Sequence, residues 1–77
     1  MITENVRSFL PSPAQVRSDT RDFIAMMFLC DDVLPVPVTP DDAAYDMSNW
    51  IADGVDFPAG MTPELFAETW NQMIMEL

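Results

Sequence analysis

Carboxylates are the only abundant reactive groups in this chain: thirteen Asp and Glu stand against three Arg, with no His and no Lys. The missing types close two routes at once, because His is the commonest general base and Lys supplies the Schiff-base amine. Two carboxylates can still work as acid and base, as in glycosidases, but they must face each other across a cleft. A chain of 77 residues has little cleft to offer them. The expectation is a protein without enzymatic activity.

Metal binding meets the same limits. One Cys and no His exclude a structural zinc site. Asp53-Gly54-Val55-Asp56 places two carboxylates around a glycine. It lacks the ligand ladder and closing bidentate Glu of a calcium loop, and reads instead as a helix end followed by a polar turn. No metal and no cofactor is expected.

What remains for the carboxylates is to present charge. Asp42, Asp46 and Asp53 fall within about 40° of one another on an ideal helical wheel, opposite Ala43, Met47 and Ile51. Glu64 and Glu68 repeat the arrangement on a later segment, and Asp31, Asp32 and Asp41 flank it. Like charges one turn apart cost a few tenths of a kcal/mol per pair, so folding alone does not favour stacking them. Duplex DNA carries about one negative charge per 1.7 Å of axis, and a rigid helix with carboxylates at one-turn intervals approximates that pattern. The alternative is a solvated face that keeps a small apolar protein soluble.

The charge is also segregated along the chain. Arg7, Arg17 and Arg21 all lie within residues 1–21, opposed there by Glu4 and Asp19, whereas the eleven acids from Asp22 onward meet no base. The net charge of −10 repels phosphates and anionic lipid headgroups, so direct nucleic-acid binding and membrane-surface binding are not expected. A basic partner protein is. A hydrophobic content of 49% argues against a disordered acidic tail and for one folded domain over 1–77.

Helix-start signals organise that domain. Ser12-Pro13, Thr39-Pro40 and Thr62-Pro63 each set a hydroxyl acceptor at the N-cap and a proline at the first helical position. Gln15 completes a capping box with Ser12, Met61 and Phe66 have staple spacing, and Asp41, Asp42 and Glu64 sit where the helix dipole is positive. The predicted helices run over Thr3–Leu10, from Pro13 to about Asp32, from Pro40 to Asp53, and from Pro63 to about Glu76. Val33 to Val38 forms an extended connector whose two prolines forbid a central strand. Gly54 ends the third helix, and Val55 and Phe57 fold back from the loop onto the core.

The second helix carries the longest apolar run, Phe23 to Cys30, with Val16, Thr20, Phe23, Met27 and Cys30 on one stripe. Its last two turns are apolar on every side, which is the pattern of a buried helix. The expected architecture is all-α, four short helices around that central one, with Cys30 an inert core thiol. Ala43, Met47, Trp50 and Ile51 point inward from the third helix. Trp50, at the edge of its stripe, and Met75, beside the Glu64/Glu68 side, are the candidate exposed apolar contacts. An eight-residue apolar run is too short to span a bilayer, no secretory signal is visible, and one unpaired Cys suits a reducing compartment, so a cytoplasmic location is expected.

In size and composition, though in no motif, this small, acidic, lysine-free, capped helical chain resembles the phage-encoded inhibitors of host defence, anti-CRISPR proteins and other DNA mimics. The resemblance implies a protein that docks on a basic nucleic-acid-binding surface, such as that of a CRISPR surveillance complex, and blocks DNA entry without chemistry; the net charge, which hinders self-association, favours a monomer over a dimer. It would make Asp42, Asp46, Asp53, Glu64 and Glu68 the phosphate-mimicking residues. Acyl carrier proteins are acidic helical domains of similar length, but their serine opens a helix in an Asp-Ser-Leu-type triplet. Here Asp46-Met47-Ser48 carries an inserted residue and lies inside a helix. A third reading is a structural or adaptor subunit, or a homodimer, that buries the Val33 to Val38 connector.

Overall fold

Each Ser/Thr-Pro step does begin a helix. The structure, a computed structural model, describes residues 11–30 and 33–77, with α1 at Pro13–Cys30, α2 at Pro40–Ala52 and α3 at Pro63–Met75. No strand forms among the described residues, so the chain is all-α there. The helix expected over Thr3–Leu10 lies outside the described residues, as do Asp31 and Asp32.

The caps differ in how completely they close. At α1 the Gln15 N–H donates to Ser12 Oγ (3.1 Å), but the Gln15 side chain turns forward to Asp19 (2.7 Å), so the capping box there is only half made. The full box belongs to α2. Asp42 N–H donates to Thr39 Oγ1 (3.1 Å), and the Asp42 carboxylate accepts from Thr39 N–H (3.2 Å). At α3, Thr62 Oγ1 accepts from Leu65 N–H (3.1 Å), and Met61 and Phe66, at N′ and N4, are both buried in the core.

The central helix is α3, not α1. Both other helices pack on α3, and no Cα atoms of α1 and α2 come within 8 Å of each other. It buries Phe66, Ala67, Thr69 and Trp70, two faces' worth of side chain in little more than one turn. The α1 stripe is correspondingly narrower than expected: Val16, Thr20 and Ile24 are buried at strict four-residue spacing, while Met26, Leu29 and Cys30 are exposed. An apolar run therefore does not surround α1 with neighbours; only one side meets α3. Thr20 is buried without cost to hydrogen bonding, because its hydroxyl donates to the Val16 carbonyl (2.7 Å).

A chain of aromatic rings ties the three helices together. Phe28 of α1 packs on Trp70 (4.7 Å between centroids), Trp70 on Phe66 (5.6 Å), Phe66 on Trp50 of α2 (5.6 Å), and Trp50 on Phe23 of α1 (5.9 Å). Phe57, from the loop after α2, closes on both Phe23 and Trp50. Such contacts add about 0.5–1.5 kcal/mol per pair to area burial, which matters in so small a core. Ile51, expected inside, is 65% exposed, and Val55 is 41% exposed. The reason is that α3 is the one described helix whose backbone comes close to that of α2; Ala43 and Met47 are buried, Trp50 reaches Phe23 of α1 through its ring, and Ile51 lies on the open side.

The two glycines serve the loop between α2 and α3. Gly54 (φ +80°) follows the C-cap of α2, and Gly60 (φ +85°) precedes α3. At Gly60 a Cβ would lie 2.9 Å from Val16 Cγ2, so the loop lies against α1 only because the side chain is absent.

The proline-rich connector is pinned to α3 through side chains. Trp70 Nε1–H donates to the Val36 carbonyl (2.7 Å), and Asn71 bonds both the N–H and the carbonyl of Val38. Arg21 of α1 meets the C-cap residue of α3, Glu76, at 2.7 and 3.4 Å.

Candidate protein-interaction surface

Charge is distributed around the fold in a way the helical wheel does not reveal. Asp41, Asp42, Asp53, Glu64 and Glu68 are exposed, while Asp46 is half-buried. Among the described residues the only ion pair is Arg21–Glu76, so none of these six is bridged to a described base. Asp42 has a second task, since its carboxylate closes the α2 capping box. Glu68 borders a groove between α1 and α3 together with Arg17, Arg21 and Gln72, where the bases offset its charge. Asp46 borders a different groove, beside Trp50, Phe66 and Trp70. On the α3 wheel Glu68 lies about 160–200° from Phe66 and Trp70, so Glu68 and Asp46 serve opposite sides of α3. The α2 acids Asp42, Asp46 and Asp53 do share one side of their helix.

The apolar surface is the more continuous feature. Because α1 and α2 both lean on α3 while their own backbones stay apart, a groove opens between them. One part, about 560 Å³, is lined by Met27 of α1, Asp46 and Trp50 of α2, the connector residues Val33, Leu34, Val36 and Val38, and Phe66 and Trp70 of α3. The other, about 290 Å³, is lined by Phe23, Met26, Met27 and Cys30 of α1 with Trp50 and Val55. Met27 and Trp50 belong to both parts. Leu34 (75% exposed) and Val36 (54%) extend the apolar area outward.

Trp50 is therefore half-buried, held by three rings yet open to this groove, while Met75 is exposed as expected and lies outside it. The groove escapes sequence reasoning because the residues that line it have the composition of core. The sequence points only to two of its parts, Trp50 at the edge of its stripe and the apolar Val33 to Val38 connector. Cys30, expected to be buried, is exposed at the groove's edge.

No three of the described His, Cys, Asp and Glu residues converge as metal ligands. Ser48 is exposed in the middle of α2, not at a helix start. No described helix is long and apolar enough to cross a membrane. No family model, no curated protein and no solved structure matches the chain.

Proposed function

We propose that this chain is a non-enzymatic inhibitor that docks its acidic surface on a basic nucleic-acid-binding site, in the manner of anti-CRISPR DNA mimics, and blocks DNA from entering. In this reading it is a cytoplasmic bundle of four short helices, the three described and the one expected over Thr3–Leu10. The observation that supports it is charge left exposed without a described counter-ion: Asp41, Asp42 and Asp53 on α2 and Glu64 on α3. Helix stability accounts for Asp41, Asp42 and Glu64, which lie in the first turns of α2 and α3, but not for Asp53. Asp53 sits at the C-cap of α2, where the helix dipole disfavours a carboxylate, and a basic partner would offset that cost. Asp31 and Asp32 extend the same reading along the sequence.

The test is capture of partners from bacterial lysate at low salt, followed by elution with duplex DNA. Exposed charge contacts are screened at high ionic strength, so a true target should be released both by DNA and near ~0.5 M salt. The double variant Asp46→Lys/Asp53→Lys should lose that target while keeping its helix content. A target that resists DNA and salt, or that the variant retains, overturns the reading. These two positions are chosen over Asp42 because Asp42 also caps α2.

The exposed apolar groove favours a second reading, a small adaptor subunit that buries Leu34 and Val36 against another protein or a second copy. Sedimentation at two salt concentrations distinguishes a salt-insensitive assembly of this kind from a monomeric inhibitor.

A further inference from the structure

The groove between α1 and α2 has a chemical character that narrows what can fill it. Its floor and walls are apolar, from Phe23 and Met27 through Trp50 to Val36 and Trp70. Its α2 wall carries Asp46, with Asp42 and Asp53 on the same side of that helix. A filling segment must therefore be apolar on one side and basic at its margin.

The connector excludes a β-strand as that segment. Strand addition needs a row of free backbone N–H and C=O groups. Pro35 and Pro37 have no N–H, Val36 N–H is bonded to the Leu34 carbonyl (2.9 Å), Val36 C=O to Trp70, and both groups of Val38 to Asn71. Recognition must use side chains, which an amphipathic helix supplies at i, i+3/i+4 and i+7.

A second copy of this chain fits poorly. An isologous interface would bring each copy's Asp46 stripe toward its twin, with a formal charge of −10 on each chain and no base among the residues that line the groove.

We propose that this groove binds a cationic amphipathic helix of a partner protein, with aliphatic anchors seated against Met27, Trp50, Val36 and Trp70 and a Lys or Arg facing Asp46. The site extends the adaptor reading and is independent of charge-only occlusion.

The probe is a synthetic helix of about 14 Leu and Lys residues, ~21 Å long, with Leu on one face. The full chain should bind it one-to-one, with a shift in Trp emission and protection of Cys30 from a thiol reagent. A scrambled peptide of the same composition, and a Leu/Glu peptide with the same face, should each bind at least about tenfold more weakly. Val36→Asp changes an exposed side chain and should weaken binding about tenfold, the loss of one seated aliphatic contact, whereas Met75→Asp, remote from the groove, should not. Equal binding of the scrambled peptide, or no effect of Val36→Asp, overturns the proposal. Self-association abolished by Val36→Asp, without peptide binding, also overturns it and assigns the groove to a second copy, leaving the adaptor reading intact. None of these outcomes bears on whether duplex DNA displaces a captured target.

Discussion

The side-chain amide of Asn71 holds the backbone of Val38 by both of its polar ends: Val38 N–H donates to Oδ1 (2.9 Å), and Nδ2–H donates to the Val38 carbonyl (2.8 Å). A single residue of α3 thus does for the connector what a neighbouring strand would do. Together with the Trp70 bond to Val36, it sets the wall of the interhelical groove.

Removing that grip should be costly. Asn71→Ala leaves both part-buried Val38 groups without their protein partner, and a loss of about 1–3 kcal/mol is expected in chemical denaturation. Asn71→Asp keeps the acceptor but sets a carboxylate oxygen against the Val38 carbonyl, so near neutral pH it should destabilise at least as much. Equal stability of the Asp variant and the native chain would show that the second bond contributes nothing.

The two glycines should respond differently to the same substitution. Gly54→Ala faces only the left-handed backbone, with nothing within 4 Å of the new Cβ, and should cost about 1 kcal/mol. Gly60→Ala adds a Cβ at 2.9 Å from Val16 Cγ2 and should cost more. Truncating Val16 to Ala in the same molecule should recover the steric part of that loss, a coupling that a double-mutant cycle measures directly.

Charge reversal at the end of α2 should separate stability from binding. Asp53→Lys replaces a carboxylate with a cation at the C-cap, next to the unsatisfied carbonyls, and should stabilise the fold by about 0.3–1 kcal/mol. The same change should weaken any basic partner. Thermal unfolding and the DNA-displacement capture read the two effects separately, and a variant that is both more stable and equally bound would remove Asp53 from the interface.

Acid should weaken the tie between α1 and α3. The hydrogen bond from Arg21, together with its charge, holds the Glu76 carboxyl below its ordinary value of 4.5. Because the folded value is the lower one, this contribution is fully present above pH 4.5 and is lost as pH falls through the folded value. The stability difference between the native chain and Glu76→Gln should accordingly be constant near neutral pH and narrow below 4.5. The pair is exposed to solvent, so the difference should also shrink with added salt.

Local chemistry was legible in the sequence, and neighbour relations were not. Where each described helix begins follows from Ser12-Pro13, Thr39-Pro40 and Thr62-Pro63, because a cap acts within one turn and needs no distant partner. Gly54 at the end of α2 and the inward Ala43, Met47, Phe66 and Trp70 follow from the same short-range rules. The apolar run from Phe23 to Cys30 misled for a physical reason. Hydrophobicity records what a side chain would gain from burial, not whether another element is there to bury it. Only the packing of α1 and α2 on α3, without contact between their backbones, decided that Met26, Leu29 and Cys30 stay exposed and that Trp50 lines a groove. The acidic stripe of α2 is a property of one helix and was visible beforehand. That Asp46 shares a groove with Trp70 and Val36, while Glu68 shares another with Arg17 and Arg21 of α1, is a relation between helices, and the tertiary structure alone determines it.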